Sequence, residues 1–353
     1  MKQLDLKLLK QLTQLDAVSS FENHLAKFLI TEYQKYHVTI KKDNLGNLFA
    51  YKYSLNPQAK TIMIASHMDE VGFMVVSIDQ GGFIHVKDLG SHNLSSLPGT
   101  LVRMTLKNQK VLHGTILAPA PHLKSGPANE PKIGDFQFDF GFTSKEDAIK
   151  NGVTMGLMLT YDAPFQVLNQ HRIISKAIDD RYGVFMGLEL LKTVDKQDLP
   201  YHLVIVNTVE EEVGARGAIT ATHFVKPDLA IVLDASPTRD HLLDELEMGH
   251  LGKGPLVRFL DPKQILNKRL MDLQIRACTL AKVPFQFYQS MGGTDASEIQ
   301  KVYQGVPVLV HGLPARSLHS ATSVYDINDL EAAKKSLLML LKIVLEYFED
   351  EEI

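Results

Sequence analysis

Five separated stretches hold side chains whose types could do metal chemistry: His67-Met68-Asp69, Asp179-Asp180, Glu210-Glu211-Glu212, Asp234 and His319-Ser320. Adjacent carboxylates repel one another, so three glutamates in a row cost energy unless a cation offsets them. Imidazoles mixed with carboxylates suit Zn, Co or Mn, whereas Ca prefers shells made of oxygen. Each stretch also has a plainer reading. The glutamates could be the solvated acidic first turn of a helix. Asp179-Asp180 could cap a helix, Asp234 could be a turn residue ahead of Pro237, and His67 and His319 could be ordinary histidines.

The elements that must position these residues favour the chemical reading. Residues 61–66, 203–209 and 229–233 are apolar, β-branched runs of the kind that form buried parallel strands. They end at His67, at the three glutamates and at Asp234. In open α/β sheets ligands bind at the carboxyl ends of the strands. Solvation alone does not account for His, Glu and Asp at three such ends. Helical periodicity is expected over residues 3–16, 182–194, 266–281 and 328–347, and Ser19-Ser20-Phe21-Glu22 carries a capping signature for a further helix. Residues 38–40 and 48–53 read as a strand pair around a turn. Between residues 73 and 165 the texture changes to short β-type runs punctuated by Gly, Pro, Asn and Ser. This reads as a small β-barrel or sandwich inserted into an α/β domain.

The chain has 353 residues, enough to bury a sizeable core. Apolar content of 45%, charged content of 22% and a net charge of −4 describe a soluble globular protein and give no argument for a nucleic-acid partner. No run approaches the roughly 20 apolar residues of a membrane span. The first twelve residues mix Leu with Lys and Asp and lack the pattern of a secretory signal. The single cysteine, Cys278, fits a reducing compartment and lies in an apolar helical pattern. A cytoplasmic protein is expected.

Taken in order, His67-x-Asp69, Asp179-Asp180-Arg181-x-Gly183, Glu211-Glu212-x-Gly214, Asp234 and His319-Ser320 resemble the co-catalytic metallo-aminopeptidases of peptidase family M42, and its glutamyl aminopeptidase branch most of all. The resemblance runs over nearly the whole chain, including the β-rich insertion and Gly292-Gly293-Thr294-Asp295-Ala296. It implies a three-layer α/β/α catalytic domain of residues 1–72 and 166–353, with an inserted β-barrel domain, residues 73–165, that serves oligomerisation. It also implies two divalent ions per subunit, zinc or cobalt. Asp179 matches the bridging carboxylate. His67 and Asp234 match the remaining ligands of one ion, Glu212 and His319 those of the other. Asp69 matches the carboxylate that takes the second ring N–H of His67. Glu211 matches the general base, with the side chain of Glu210 pointing away. The motif around His319 reads Pro314-Ala-Arg-Ser-Leu318, a departure from the Arg-Tyr-x-His-Ser common in relatives, and His311 lies nearby.

The implied reaction is removal of N-terminal residues from short peptides with a free N-terminus. The ions hold the α-amine and activate water, and Glu211 moves the proton. A preference for Glu or Asp needs a cation in the pocket for the first side chain. Arg258 fits that place in acidic-specific members, though it could equally be an Arg on the outside of a strand. Gly292 and Gly293 would let the backbone approach the substrate, or form a simple turn. His122 falls in a long polar loop, a region that in the family helps subunits assemble, often into tetrahedral dodecamers. A homo-oligomer is therefore expected, with no nucleic-acid or membrane partner. The rival readings are an aminopeptidase of neutral preference, a related N-acyl-amino-acid deacylase or carboxypeptidase, and an inactive metal-bound scaffold.

Overall fold

The computed structural model describes residues 4–118, 131–242 and 248–349. His122 lies outside them. The expected α/β/α architecture with an inserted barrel is present. An 11-stranded mixed sheet runs in the order Thr39–Lys42, Leu48–Lys52, His202–Thr208, Thr61–His67, Leu229–Thr238, Val308–Arg316, Ser323–Asp326, Arg172–Ser175 and Gln166–Leu168. Leu256–Leu260 and Gln286–Gln289 branch from the strand Val308–Arg316. The four central strands are parallel.

Alternation along these central strands builds two cores. Ile62, Ile64, Leu203, Ile205, Leu229, Ile231 and Leu233 face one side. There they meet Leu9, Leu12, Leu25 and Leu29 near the N-terminus, and residues of the helices Ile178–Val194, Lys268–Ala281 and Ile327–Ile343. Met63, Ala65, Val204, Val206, Ala230 and Val232 face the other side, against Ala218 and Ala221 of the helix Arg216–Val225 and against Ala296 and Ile299. Side chains of successive strand residues point to opposite faces, so a β-branched run buried on both faces makes a three-layer sandwich.

Between Gly72 and Tyr161, six strands close into a barrel in the order Gly72–Ile78, Ile84–Leu89, Phe138–Asp139, Val111–Ile116, Leu101–Thr105 and Met158–Tyr161. Phe73, Phe138, Val102 and Leu159 fill its separate core. The two-residue strand Phe138–Asp139 closes the ring by pairing with Ile84 on one side and with Thr115 and Ile116 on the other.

Three details differ from the sequence expectation. The strand through Asp234 does not stop there. It pairs with Val308–Arg316 as far as Thr238 opposite Arg316, because Ala235 and Leu313 remain buried and keep the ladder going. The closing helix ends at Ile343, and a short helix, Glu346–Glu349, follows. The helix after Ser19 begins at Asn23 with Glu22 at its cap position, and Glu22 makes no side-chain cap bond. The Ser19 hydroxyl and the Glu22 carboxylate are used elsewhere.

Candidate metal centre

The register of the central sheet brings the separated stretches together. Thr208 pairs with His67, so the chain leaving Thr208 carries Glu210–Glu212 past the end of the strand that holds His67. Val232 pairs with Ala65, which sets Asp234, two residues on, level with His67. Asp179 lies at the start of the helix Ile178–Val194 in non-helical backbone (φ −79°, ψ 107°), joined to Asp180 by a cis peptide. His319 follows the strand Val308–Arg316 and sits at φ 57°.

Two groups of possible metal ligands result, His67 with Asp179 and Asp234, and Asp179 with Glu212 and His319. Within each group the ligand atoms lie within 4.8 Å of one another, and Asp179 belongs to both. Its Oδ1 is 3.0 Å from His67 Nε2, and its Oδ2 is 3.4 Å from His319 Nε2. Glu212 Oε2 is 3.5 Å from the same His319 nitrogen. Glu211 stands beside Glu212 and belongs to neither group.

Asp69 is fully buried at the hub. His67 Nδ1 is 3.0 Å from the main-chain oxygen of Asp69 and 3.5 Å from its carboxylate. A carbonyl oxygen only accepts, so Nδ1 carries the proton and Nε2 is the nitrogen left to face Asp179. The Asp69 carboxylate accepts from the Ser19 hydroxyl at 2.7 Å, the Glu211 N–H at 3.0 Å and the Glu212 N–H at 3.1 Å. Glu22 accepts the N–H of Glu210 at 3.1 Å and of Ser20 at 2.9 Å. Three successive amides of the glutamate run therefore end on two carboxylates. The Glu210 side chain turns outward to the Ser20 hydroxyl and Arg216.

The electrostatics fit a site built for cations. Burial, together with Asp179 and Asp180, pushes the Asp234 carboxyl well above the usual range. Burial also raises Glu211 well above it, with Asp295 and Glu212 adding to the effect. Burial and Asp179 push Glu212 up to about 7, although His319 opposes this. His67 loses basicity through burial, but its contacts with Asp179 and Asp69 more than restore it and hold it well above the ordinary value. His319 is pushed up to about 9, because Glu212 and Asp179 outweigh burial. Without a cation, protons on the carboxylates and imidazoles neutralise this cluster. Glu212 Oε1 is buried with no hydrogen-bond partner. A buried oxygen without a donor, in a site with two imidazoles, is what a divalent ion of the zinc type satisfies.

The groups open into a cavity of about 510 Å³ that also takes in Ser91, Arg258, Lys263, Gly292 and Gly293. Arg258 is buried, on the strand Leu256–Leu260, and faces this cavity. Its guanidinium bonds Asp261 and the carbonyl of Gly292. His311 belongs to neither ligand group. It lies within its strand, bonded to Ser336 at 2.9 Å and near the Tyr182 hydroxyl. Sequence reasoning missed three contributors. Lys263 looks like a surface lysine in a turn. The barrel loop around Ser91 reaches the site through Gly90, which packs on Glu212, and through the Asn93 N–H, which donates to the His319 carbonyl at 3.1 Å. Asp295, bonded to the Thr208 hydroxyl at 2.5 Å, keeps a second buried oxygen without a partner.

A mixed α/β sheet carrying imidazoles and carboxylates at its strand ends, with a barrel leaning over them, defines a metal-dependent hydrolase class. The chain belongs to the M42 family of aminopeptidases: the family model described as M42 glutamyl aminopeptidase matches residues 46–335. A glutamyl aminopeptidase of Lactococcus lactis subsp. cremoris is 36% identical over 339 residues, covering 94% of this chain and 94% of the relative. A lysyl aminopeptidase of Pyrococcus furiosus is 27% identical, covering 96% and 97%. Among solved structures, the TET1 peptidase of Pyrococcus horikoshii, described as able to assemble into a tetrahedron or a large octahedral shell, superposes with a TM-score of 0.86 at 27% identity, covering 95% of this chain and 98% of its own. The protein is thus a hydrolase acting on peptides. No helix among the described residues is long and apolar enough to cross a membrane.

Proposed function

We propose that this chain is a two-metal aminopeptidase that removes acidic residues from the free N-termini of short peptides. One observation carries the reading: two ligand groups share Asp179, and Glu211 stands beside them in neither group. His67, Asp179 and Asp234 would hold one divalent ion, and Asp179, Glu212 and His319 the other. Ions held there would supply Lewis-acid chemistry, polarising a carbonyl and acidifying water.

The chain's own residues account for the remaining steps. Asp69 fixes the tautomer of His67 through its main-chain oxygen and anchors the amides of Glu211 and Glu212. The Glu211 carboxylate takes the proton of the attacking water as its oxygen bonds the scissile carbonyl carbon. It then hands that proton to the nitrogen that leaves as the C–N bond breaks. Without ions, burial beside Asp295 and Glu212 raises the Glu211 carboxyl well above the ordinary value, and cations held in the adjoining groups would offset that rise and keep Glu211 ionised to accept the proton.

The acidic preference draws support from the cations on the cavity wall, Arg258 and Lys263, and from the glutamyl aminopeptidase of Lactococcus. The lysyl relative weighs on the other side, since the same scaffold serves another side chain there. Residues 73–165 are proposed to act as an assembly domain in a closed homo-oligomer, by likeness to the TET1 peptidase. The single free, buried Cys278 supports a cytoplasmic location.

The test is cleavage of matched aminoacyl anilides of Glu, Asp, Leu, Ala and Lys, with and without chelator, beside Glu211→Gln. Chelator-sensitive cleavage led by Glu and Asp, and reduced about 10²–10⁴-fold in the variant, is the expected result. Cleavage led by Leu or Lys would discard the acidic pocket. Cleavage only of N-acylated substrates would overturn the aminopeptidase reading.

A further inference from the structure

Two cations line the cavity, and their environments are opposite. Arg258 is 3% exposed. Its Nε and Nη2 lie 3.2 and 3.1 Å from Asp261 Oδ2, and Nη2 also bonds the carbonyl of Gly292. Asp261 is itself buried, and its other oxygen accepts the N–H groups of Lys263 at 2.7 Å and Gln264 at 2.8 Å. Arg258 and Asp261 therefore form a closed pair whose net charge is zero. Lys263 stands two residues beyond Asp261, exposed, and no carboxylate among the described residues lies within ion-pair distance of its ammonium. Its stem runs along Gly293: a Cβ added there would meet Lys263 Cδ at 3.4 Å and Cε at 3.8 Å. Gly293 thus leaves room for the aliphatic part of Lys263 at the cavity wall.

We propose that Lys263 is the residue that selects an acidic first side chain, while Arg258 shapes the pocket. This rests on the aminopeptidase reading above. The physical reason is the difference between a hydrogen bond and a charge. The free Nη1 of Arg258 can donate to the side-chain carbonyl of a glutamine as well as to the carboxylate of a glutamate. A neutral Arg–Asp pair therefore separates these two isosteric side chains poorly. An uncompensated ammonium separates them well, because only the carboxylate completes a charge-assisted bond. Exposed pairs are weak when solvated, but a peptide seated in the cavity covers the wall and strengthens the pair. Asp261 serves both cations: it neutralises Arg258 and, through the Lys263 amide, fixes the turn from which Lys263 reaches the wall.

The experiment compares kcat/KM for glutamyl and glutaminyl anilides in the wild type, Lys263→Met, Lys263→Glu and Arg258→Met. Calorimetric binding of free L-glutamate and L-glutamine to the same proteins runs alongside. The Glu/Gln ratio should fall about tenfold in Lys263→Met and invert toward lysyl anilide in Lys263→Glu. The glutamate-over-glutamine binding ratio should fall with it. An unchanged ratio in Lys263→Met, or a loss confined to Arg258→Met, overturns the proposal. A wild type that does not distinguish Glu from Gln overturns it together with the acidic preference. If no free-amine substrate is cleaved, the aminopeptidase reading fails separately. The binding ratio then decides on Lys263, a preference for glutamate lost in Lys263→Met supporting it and an unchanged preference overturning it.

Discussion

The Asp69 carboxylate accepts the main-chain N–H of Glu211 at 3.0 Å, so the residue two positions beyond His67 holds the backbone of the proposed base. The same carboxylate takes the Glu212 N–H and the Ser19 hydroxyl. Burial alone would raise its pKa. The contact with His67 and the bonds from Ser19 and Glu211 hold it below the ordinary value. Asp69 therefore ties the histidine of one ligand group to the glutamate of the other through the backbone.

Asp69→Asn keeps the shape but turns one acceptor oxygen into a donor, so the Glu211 and Glu212 amides can no longer both be satisfied. Metal affinity and kcat/KM should fall about 10- to 100-fold. Metal content at limiting ion concentration, measured beside activity, checks this. Full occupancy with full activity would remove Asp69 from the account.

Gly90 belongs to the barrel yet packs on Glu212 of the proposed metal centre. At φ +81°, an added Cβ would meet Val71 Cγ1 at 2.7 Å and both Cβ and Oε2 of Glu212 at 3.2 Å. Gly90→Ala should lose about 1–2 kcal/mol of stability from backbone strain and crowding and should weaken metal retention by displacing Glu212. Thermal unfolding and metal content of the purified variant are the measurements. A variant identical to wild type in both would show that the barrel loop is independent of the centre.

Much of this centre could be read from the residues themselves. His67 closes its strand and the glutamate run follows the strand His202–Thr208, so their strand-end placement is a local property of the chain. Asp234, expected at a strand end, lies instead inside the strand Leu229–Thr238 and is brought level with His67 by the sheet register. The barrel was legible from its short, Gly-punctuated runs. The clamp formed by Ser19 and Glu22 was not. Ser19-x-x-Glu22 reads as a capping box, and the same two side chains would satisfy either a helix end or a distant loop. Only the docking of the N-terminal segment beside Glu210–Glu212 decides between them. Lys263 escaped notice for a related reason: periodicity reports burial, and an exposed lysine beside a turn carries no mark of the cavity it borders.

His311 and His92 give the protein a defined acid sensitivity. Burial holds both near 4, below the ordinary value of 6.5. The folded state therefore resists protonation that the unfolded chain accepts. The stability these neutral rings allow is complete above about pH 6.5 and is lost as pH falls from 6.5 to 4. For fully buried His311 the loss approaches ~3 kcal/mol at pH 4. Urea unfolding of wild type and His311→Gln across this window should show wild type falling relative to the variant as pH drops. Parallel curves would contradict the assignment.

The central claim is a pair of ions sharing Asp179, and anomalous diffraction from crystals grown with zinc or cobalt tests it most directly. Two peaks per chain are predicted, one among His67, Asp179 and Asp234 and one among Asp179, Glu212 and His319. A single peak, or two peaks with Asp179 bound to only one, would contradict it.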